Sequence, residues 1–118
     1  MPLIIIKSNI TQVLPEVKEA IHEQGQAALS NILQKSRDYV MSLLQLGQEL
    51  NFAGNSSVCR AYVEIKNVGT ITPEISLEIS KEITKILNEL LDVDGRRIYI
   101  EFQQSERHLW GWNGKTFA

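Results

Sequence analysis

The 118-residue sequence predicts an α/β (α+β) protein in which two β-α-β repeats form a four-stranded mixed sheet with two helices on one face. Three observations predict this fold: short β-branched runs, two long apolar stripes at three- and four-residue steps, and the same order of elements in both halves. A helix that joins two parallel strands is expected to cross over right-handed. Residues 1–118 are expected to form a single domain.

The first repeat is predicted as a strand, a long helix and a second strand. Residues 3–6 form a β-branched run without an interior breaker, which predicts a strand buried on both faces. Apolar residues recur at helical spacing from about residue 14 to residue 33. Gly25 lies inside this pattern and predicts a bend or a local loosening. Residues 39–44 predict the second strand.

The second repeat is predicted to have the same plan. Residues 60–65 and 98–102 are β-rich and predict its two strands, and residues 52–57 predict a polar loop before them. Thr72 before Pro73 predicts a helix start, because threonine caps well and proline suits the first helical position. The apolar stripe of that helix comprises Ile75, Ile79, Ile83, Ile86, Leu87, Leu90 and Leu91.

One face of the predicted sheet has no cover inside the chain, because both helices lie on the other face. An apolar sheet face that is left open is usually buried by oligomerisation. The pattern therefore predicts an assembly of several copies.

Composition and charge exclude several classes of protein. Twelve basic and fourteen acidic residues give a net charge of −2 with no basic block, so no nucleic-acid partner is expected. The lone Cys59 excludes an intrachain disulfide, and His22 and His108 are too far apart in sequence to predict a metal site. The chain shows neither a secretory signal nor an apolar stretch of membrane-spanning length. A cytoplasmic protein without membrane contact is expected.

Pro2 is a candidate catalytic residue, because removal of Met1 would make its nitrogen a terminal secondary amine. A free α-amino group titrates near about 7.7–8.0, and burial beside a cation lowers that pKa. A neutral amine can accept a proton at physiological pH. The alternative is that Pro2 only opens an edge strand, where no ladder donor is needed, and Pro2 alone favours this alternative.

Six short segments occur in a characteristic order along the chain. They are Pro2 after Met1, Lys35 followed by Tyr39-Val40-Met41, Phe52-Ala53-Gly54, Val68-Gly69, Arg97-Ile98-Tyr99-Ile100, and a Trp-rich tail over residues 109–118. This ordered set covers essentially the whole chain and resembles the macrophage migration inhibitory factor family of the tautomerase superfamily. The resemblance implies a homotrimer whose sheets wrap into a barrel, with three active sites at subunit interfaces. Such a trimer would cover the open sheet face.

The resemblance also implies an activity, that of a cofactor-free keto–enol tautomerase of the phenylpyruvate type, an isomerase acting on a small keto/enol carboxylate. Pro2 is the implied general base. Lys35 is the implied cation, which stabilises the negative charge that develops on the substrate oxygen and pairs with a carboxylate. The alternative for Lys35 is a solvated lysine that favours the dipole at a helix C-terminus.

The implied substrate-binding residues are Val68, through its main chain, and an aromatic wall. The matching residues of this wall are Tyr39, Tyr99, Trp112 and Phe117. Aromatic side chains at such positions are more often packing residues, and the interface of a trimer is the alternative location for them.

Glu101 is the last of the implied substrate-binding residues. It departs from the pattern of the animal cytokine of this family, which has an amide side chain at this position. A carboxylate there repels an anionic substrate unless it pairs with a cation or is protonated. Two other functions therefore stay open. One is a decarboxylase or hydratase on the same scaffold, in which Glu101 orients water, and the other is a non-catalytic trimeric interaction protein. The lone Cys59 excludes a thiol oxidoreductase.

Overall fold

The computed structural model describes residues 1–54 and 58–118 and confirms the two β-α-β repeats. The first repeat consists of strand β1 (Pro2–Ser8), helix α1 (Pro15–Leu33) and strand β2 (Met41–Gln45). The second repeat consists of β3 (Ala61–Val68), α2 (Pro73–Leu91) and β4 (Ile98–Ser105). A C-terminal hairpin follows, formed by β5 (Gly111–Trp112) and β6 (Lys115–Thr116). Part of the predicted polar loop, residues 55–57, lies outside the described residues.

The four long strands form one mixed sheet in the order β2-β1-β3-β4. The two strands of each repeat are parallel, as β1 is to β2 and β3 is to β4. The two repeats meet through an antiparallel pairing of β1 with β3 at the centre of the sheet. The predicted mixed four-stranded sheet is thus confirmed.

Both helices cover the same face of this sheet, and the other face is open. Along β1, Ile4 and Ile6 are buried in the core, whereas Leu3 and Ile5 between them are only partly buried. The prediction that this strand is buried on both faces is therefore wrong for a single chain. The alternation follows from the pleat, which sends successive side chains to opposite faces.

The predicted bounds of the second strand are also wrong. Residues 37–39 form a single 3₁₀ turn, and Ser36 caps it, because the Ser36 Oγ accepts a hydrogen bond from the Asp38 N–H at 3.3 Å. The strand consequently begins at Met41, and Tyr39 lies outside the sheet. The other three strands run beyond their predicted ends.

Both helices begin with a proline and end on a left-handed residue, but only α2 has a side-chain cap at its start. Pro15 and Pro73 each occupy the first turn, and the Thr72 Oγ1 accepts a hydrogen bond from the Ile75 N–H at 3.2 Å, as predicted. Both helices end on a residue in the left-handed conformation, each with φ of 56°. Neither helix in the described part of the chain is long and apolar enough to cross a bilayer.

Helix α1 runs through Gly25 without interruption, so Gly25 does not break the helix, and a bend at this residue stays a prediction. Gly25 is buried on the face of the helix that packs against β1. A Cβ atom added there would lie 3.9 Å from the Ile4 Cδ1, which is an ordinary van der Waals distance. The packing of the helix on the sheet stabilises the helical conformation in spite of the glycine.

We expect Gly25→Ala to stabilise the protein by about 1 kcal/mol, because alanine has the higher helix propensity and loses less backbone entropy on folding. The new methyl group finds space beside Ile4. Urea unfolding followed by circular dichroism measures the change. A lower unfolding midpoint in the variant would show that α1 and β1 cannot accept the extra methyl group.

Candidate active site

The first residues of the chain, the end of α1 and the end of β3 meet at one end of the sheet. Pro2 is fully buried there. The main chain of Val68, the last residue of β3, forms hydrogen bonds with both Met1 and Lys35. Its N–H donates to the Met1 carbonyl oxygen at 3.3 Å, and its carbonyl oxygen accepts from the Lys35 Nζ at 3.4 Å. The structure thus brings Pro2, Lys35 and Val68 together.

The end of α1 sets the position of Lys35. Gln34 adopts the left-handed conformation, and its N–H donates to the Ser30 carbonyl oxygen. The Lys35 N–H donates to the same oxygen at 3.1 Å, and the Ser30 Oγ donates to the Lys35 carbonyl oxygen at 2.6 Å. The residue that follows the left-handed cap of α2 is Val93, which is fully buried. Of these two equivalent positions, only that of the first repeat carries a cation.

Gly69 allows the chain to turn directly after Val68. Its φ is +117°, a value that residues with a Cβ rarely adopt. Its N–H donates to the Ser105 carbonyl oxygen at 3.1 Å, which ties the turn to the end of β4. A Cβ atom at Gly69 would lie 4.0 Å from the Lys35 Nζ. This is an ordinary van der Waals distance, so the backbone conformation rather than a lack of space favours glycine at this position.

The amino terminus lies in an environment that disfavours a positive charge. Burial lowers the pKa of the Met1 amine, and the Lys35 ammonium lowers it further. An amine at this place in the fold is therefore more readily neutral than an amine in water.

A cleft of about 520 Å³ opens beside Lys35, which is within the size range of small-molecule sites. We call it the lysine cleft; it is lined by Met1, Lys35, Ser36, Tyr39, Val68, Gly69, Arg107 and Phe117. A second, more apolar cleft of about 220 Å³ is lined by residues that include Pro2, Tyr39 and Trp112. Met1 and Tyr39 line both clefts and so lie between them.

Three of the four predicted aromatic residues meet at these clefts. The ring of Trp112 contacts Tyr39 edge-on, with centroids 5.7 Å apart and planes at 80°. The same ring stacks on Phe117, with centroids 6.2 Å apart and planes at 21°. Aromatic pairs favour such edge-on and stacked geometries, and the three rings together form a continuous apolar wall.

The C-terminal hairpin holds this wall in place. Its two-residue turn is Asn113-Gly114, with φ of 53° and 75°, the combination that a type I′ turn requires. The Phe117 N–H donates to the Arg107 carbonyl oxygen at 3.2 Å, and the Arg107 Nε donates to the Phe117 carbonyl oxygen at 2.7 Å. Sequence analysis missed the hairpin and Arg107. The Asn-Gly pair could have indicated the hairpin, but no local pattern indicates that Arg107 lines the cleft.

Tyr99 and Glu101 do not line the lysine cleft of their own chain. Both lie on the open face of β4, where Tyr99 is 65% exposed and packs against Phe52 with centroids 4.9 Å apart. The Glu101 Oε1 accepts a hydrogen bond from the Tyr62 hydroxyl at 3.0 Å. Burial, with this hydrogen bond as a further cause, raises the pKa of Tyr62. The Glu101 carboxylate is thus hydrogen-bonded to a neutral phenol rather than paired with a cation.

The histidines make separate contacts. The His22 Nδ1 lies 2.6 Å from the Ser42 Oγ, and the His108 Nδ1 lies 3.3 Å from the Glu106 Oε2. Within residues 1–54 and 58–118, no three His, Cys, Asp or Glu side chains are grouped so that they could hold a metal ion.

The two β-α-β repeats, the buried proline at the start of β1 and the lysine after α1 agree with the tautomerase superfamily that the sequence resembles. Within it, the chain belongs to the macrophage migration inhibitory factor family, since residues 1–118 match the family described as "Macrophage migration inhibitory factor (MIF)".

Solved and curated relatives agree with this assignment. The structure of the macrophage migration inhibitory factor homologue from Prochlorococcus marinus is 32% identical, with a TM-score of 0.90 over 98% of this chain and 99% of that chain. The homologue from Brugia malayi is 28% identical over 118 residues, which is 100% of both chains. The homologue from Trichinella spiralis is 29% identical over 117 residues, which is 99% of this chain and 100% of that protein.

Proposed function

We propose that the protein is a keto–enol tautomerase that uses the amino-terminal Pro2, exposed by removal of Met1, as its general base. One observation carries the proposal. The amino terminus lies between the two clefts, where burial and the Lys35 ammonium lower the pKa of an amine. A base whose pKa lies near the working pH transfers protons most efficiently.

The proposed reaction moves one proton between oxygen and carbon. In the direction from enol to keto form, the Pro2 amine takes the proton of the enol hydroxyl, and the resulting ammonium returns a proton to the adjacent carbon. Negative charge develops on the substrate oxygen in between. The Lys35 ammonium stabilises that charge, a contact that strengthens as charge develops, whereas a pairing of Lys35 with the substrate carboxylate holds substrate and transition state equally.

Removal of Met1 has a second consequence, at Val68. The Val68 N–H donates to the Met1 carbonyl oxygen, so it loses this acceptor when Met1 is removed. A buried donor without a partner is unfavourable, and a substrate oxygen can replace the lost carbonyl. The aromatic wall of Tyr39, Trp112 and Phe117 offers an apolar surface for an aryl group. These contacts favour an aryl 2-oxo acid such as phenylpyruvate.

The test is the ketonisation of enol phenylpyruvate, followed by the loss of enol absorbance. Intact mass must first establish that the sample begins at Pro2. We expect conversion above the buffer rate with no added metal or cofactor. A sample of confirmed mass that leaves the enol unchanged would contradict the proposal. Release of carbon dioxide from a small β-keto acid would favour the decarboxylase alternative instead.

We further propose that the chain forms a homotrimer through the open face of the sheet. Apolar side chains such as Leu3, Ile5, Met41 and Leu43 lie on this face of β1 and β2 without cover from either helix. Tyr99 and Glu101 lie on the same face, away from the lysine cleft of their own chain. A neighbouring subunit that docks here would receive both residues at its own cleft.

In solution, we expect light scattering to give three times the 13.4 kDa mass of one chain. Leu43→Glu should dissociate the trimer and lower tautomerase activity, because it buries a charge in an apolar interface. Leu77→Glu is the matched control, since Leu77 is 56% exposed on α2 and Leu43 is 44% exposed on β2. A monomeric wild-type chain with full activity would contradict both the trimer and a shared site.

A further inference from the structure

The lysine cleft contains two basic side chains, Lys35 and Arg107, and none of the residues that line it is acidic. The ion pairs of the described residues are Lys7–Glu64, Glu23–Arg37 and Asp94–Arg96, and Glu106 forms a further ion pair with His108 when that imidazole is protonated. Neither cation of the cleft belongs to one of these pairs. In a protein with a net charge of −2, this cleft is therefore a local concentration of uncompensated positive charge.

The hydrogen bonds of Arg107 leave part of its guanidinium free. The Nε donates to the Phe117 carbonyl oxygen at 2.7 Å, which fixes the side chain against the tail. The two terminal nitrogens donate to no acceptor in the described residues. The nearest carboxylate in sequence, Glu106, contacts the His108 Nδ1 at 3.3 Å rather than Arg107. The two terminal nitrogens of a guanidinium form a fork that suits a carboxylate.

We propose that the lysine cleft takes a 2-oxo acid with a second anionic group, so that one carboxylate pairs with Lys35 and the other with Arg107. This inference rests on the proposed tautomerase function. A monoanion would neutralise only one of the two cations in a partly apolar cleft, whereas a dianion neutralises both. The cleft volume of about 520 Å³ can accommodate an aryl ring with two such groups.

The competing role for Arg107 is structural, because its Nε holds the segment that carries Phe117. Arg107→Gln separates the two roles. Glutamine keeps a side-chain donor for the Phe117 carbonyl oxygen but removes the charge. A structural role would change the turnover of every substrate to a similar extent, whereas recognition of a second anion would change the preference between substrates.

The experiment compares the enol forms of phenylpyruvate and 4-carboxyphenylpyruvate, which differ by one carboxylate. We expect the ratio of kcat/KM for the dianion to that for the monoanion to fall about tenfold to a hundredfold in Arg107→Gln, the range expected for a charge-assisted hydrogen bond. Lys115→Gln removes a cation from the same tail, and Lys115 does not line the cleft, so this variant should keep the wild-type ratio. An unchanged ratio in Arg107→Gln, or equal falls in both variants, overturns the inference.

Binding of unreactive analogues distinguishes failure of this inference from failure of the proposed function. Calorimetry compares 4-carboxyphenylacetate with phenylacetate at low salt. If the wild-type protein turns over neither enol but prefers the dianionic analogue, and Arg107→Gln loses that preference, the tautomerase proposal fails and the second-anion site stands. If the wild-type protein binds both analogues equally, the second-anion site is overturned, whatever the enzymatic result.

Discussion

A chain that begins at Pro2 should ketonise enol phenylpyruvate at least about a hundredfold faster than a chain with one alanine inserted between Met1 and Pro2. In the inserted chain, removal of Met1 leaves alanine at the terminus and converts the Pro2 nitrogen into an amide. An amide nitrogen has no basic lone pair and cannot accept the proton. Initial rates on samples of confirmed intact mass measure the difference.

The inserted alanine also fills space in the cleft. A control must therefore separate the loss of the basic amine from steric blocking of the substrate. In Pro2→Ala, removal of Met1 leaves a primary amine at the same place and adds no residue to the cleft. We expect this variant to be slower than the wild-type protein but faster than the inserted chain. Misfolding of either variant is excluded if its far-ultraviolet circular dichroism spectrum and its mass in solution match those of the wild-type protein. Full activity in the inserted chain would exclude Pro2 as the base.

The fold was predictable because each element depends on a local pattern. The apolar stripe of α2 and the Thr72-Pro73 start predict a helix without knowledge of its neighbours, and the structure confirms it. Gly25 shows the limit of local reasoning. Its low helix propensity predicts a weak point, but the helix packs there on β1, whose Ile4 lies 21 positions earlier in the chain.

The candidate site was predictable only in part, because its residues come from distant segments. The resemblance indicated Lys35 and Val68, and their hydrogen bond shows that they lie together. Arg107 could not be predicted, since its position depends on the hairpin that returns Phe117 to it. Tyr99 and Glu101 lie on the open face of β4, away from the lysine cleft of their own chain, and no local pattern in the sequence indicates this.

The second large effect is expected at Lys35. We expect Lys35→Gln to lower kcat/KM for enol phenylpyruvate by about a hundredfold or more, since loss of one group that stabilises a developing oxyanion costs this much in other enzymes. The hydrogen bonds that hold the end of α1 join Ser30 to the main chain of Lys35, so they remain in the variant and the end of α1 should stay in place. Lys81→Gln on α2, which removes an exposed lysine, is the matched control and should leave the rate unchanged.

The pH dependence of Lys35→Gln tests the electrostatic role of the lysine separately from its contact with substrate. Activity should rise with pH as the Pro2 ammonium loses its proton, with a midpoint below the usual value of about 8 for an α-amine. Burial is the larger cause and the Lys35 charge the smaller cause of the lowered pKa of the Met1 amine. If the same causes act on the Pro2 amine, burial remains in the variant and the contribution of the Lys35 charge is lost. The midpoint of kcat/KM should therefore move to higher pH in Lys35→Gln but remain below that of an amine in water. An unchanged midpoint, or a shift to lower pH, would show that Lys35 does not keep the base neutral.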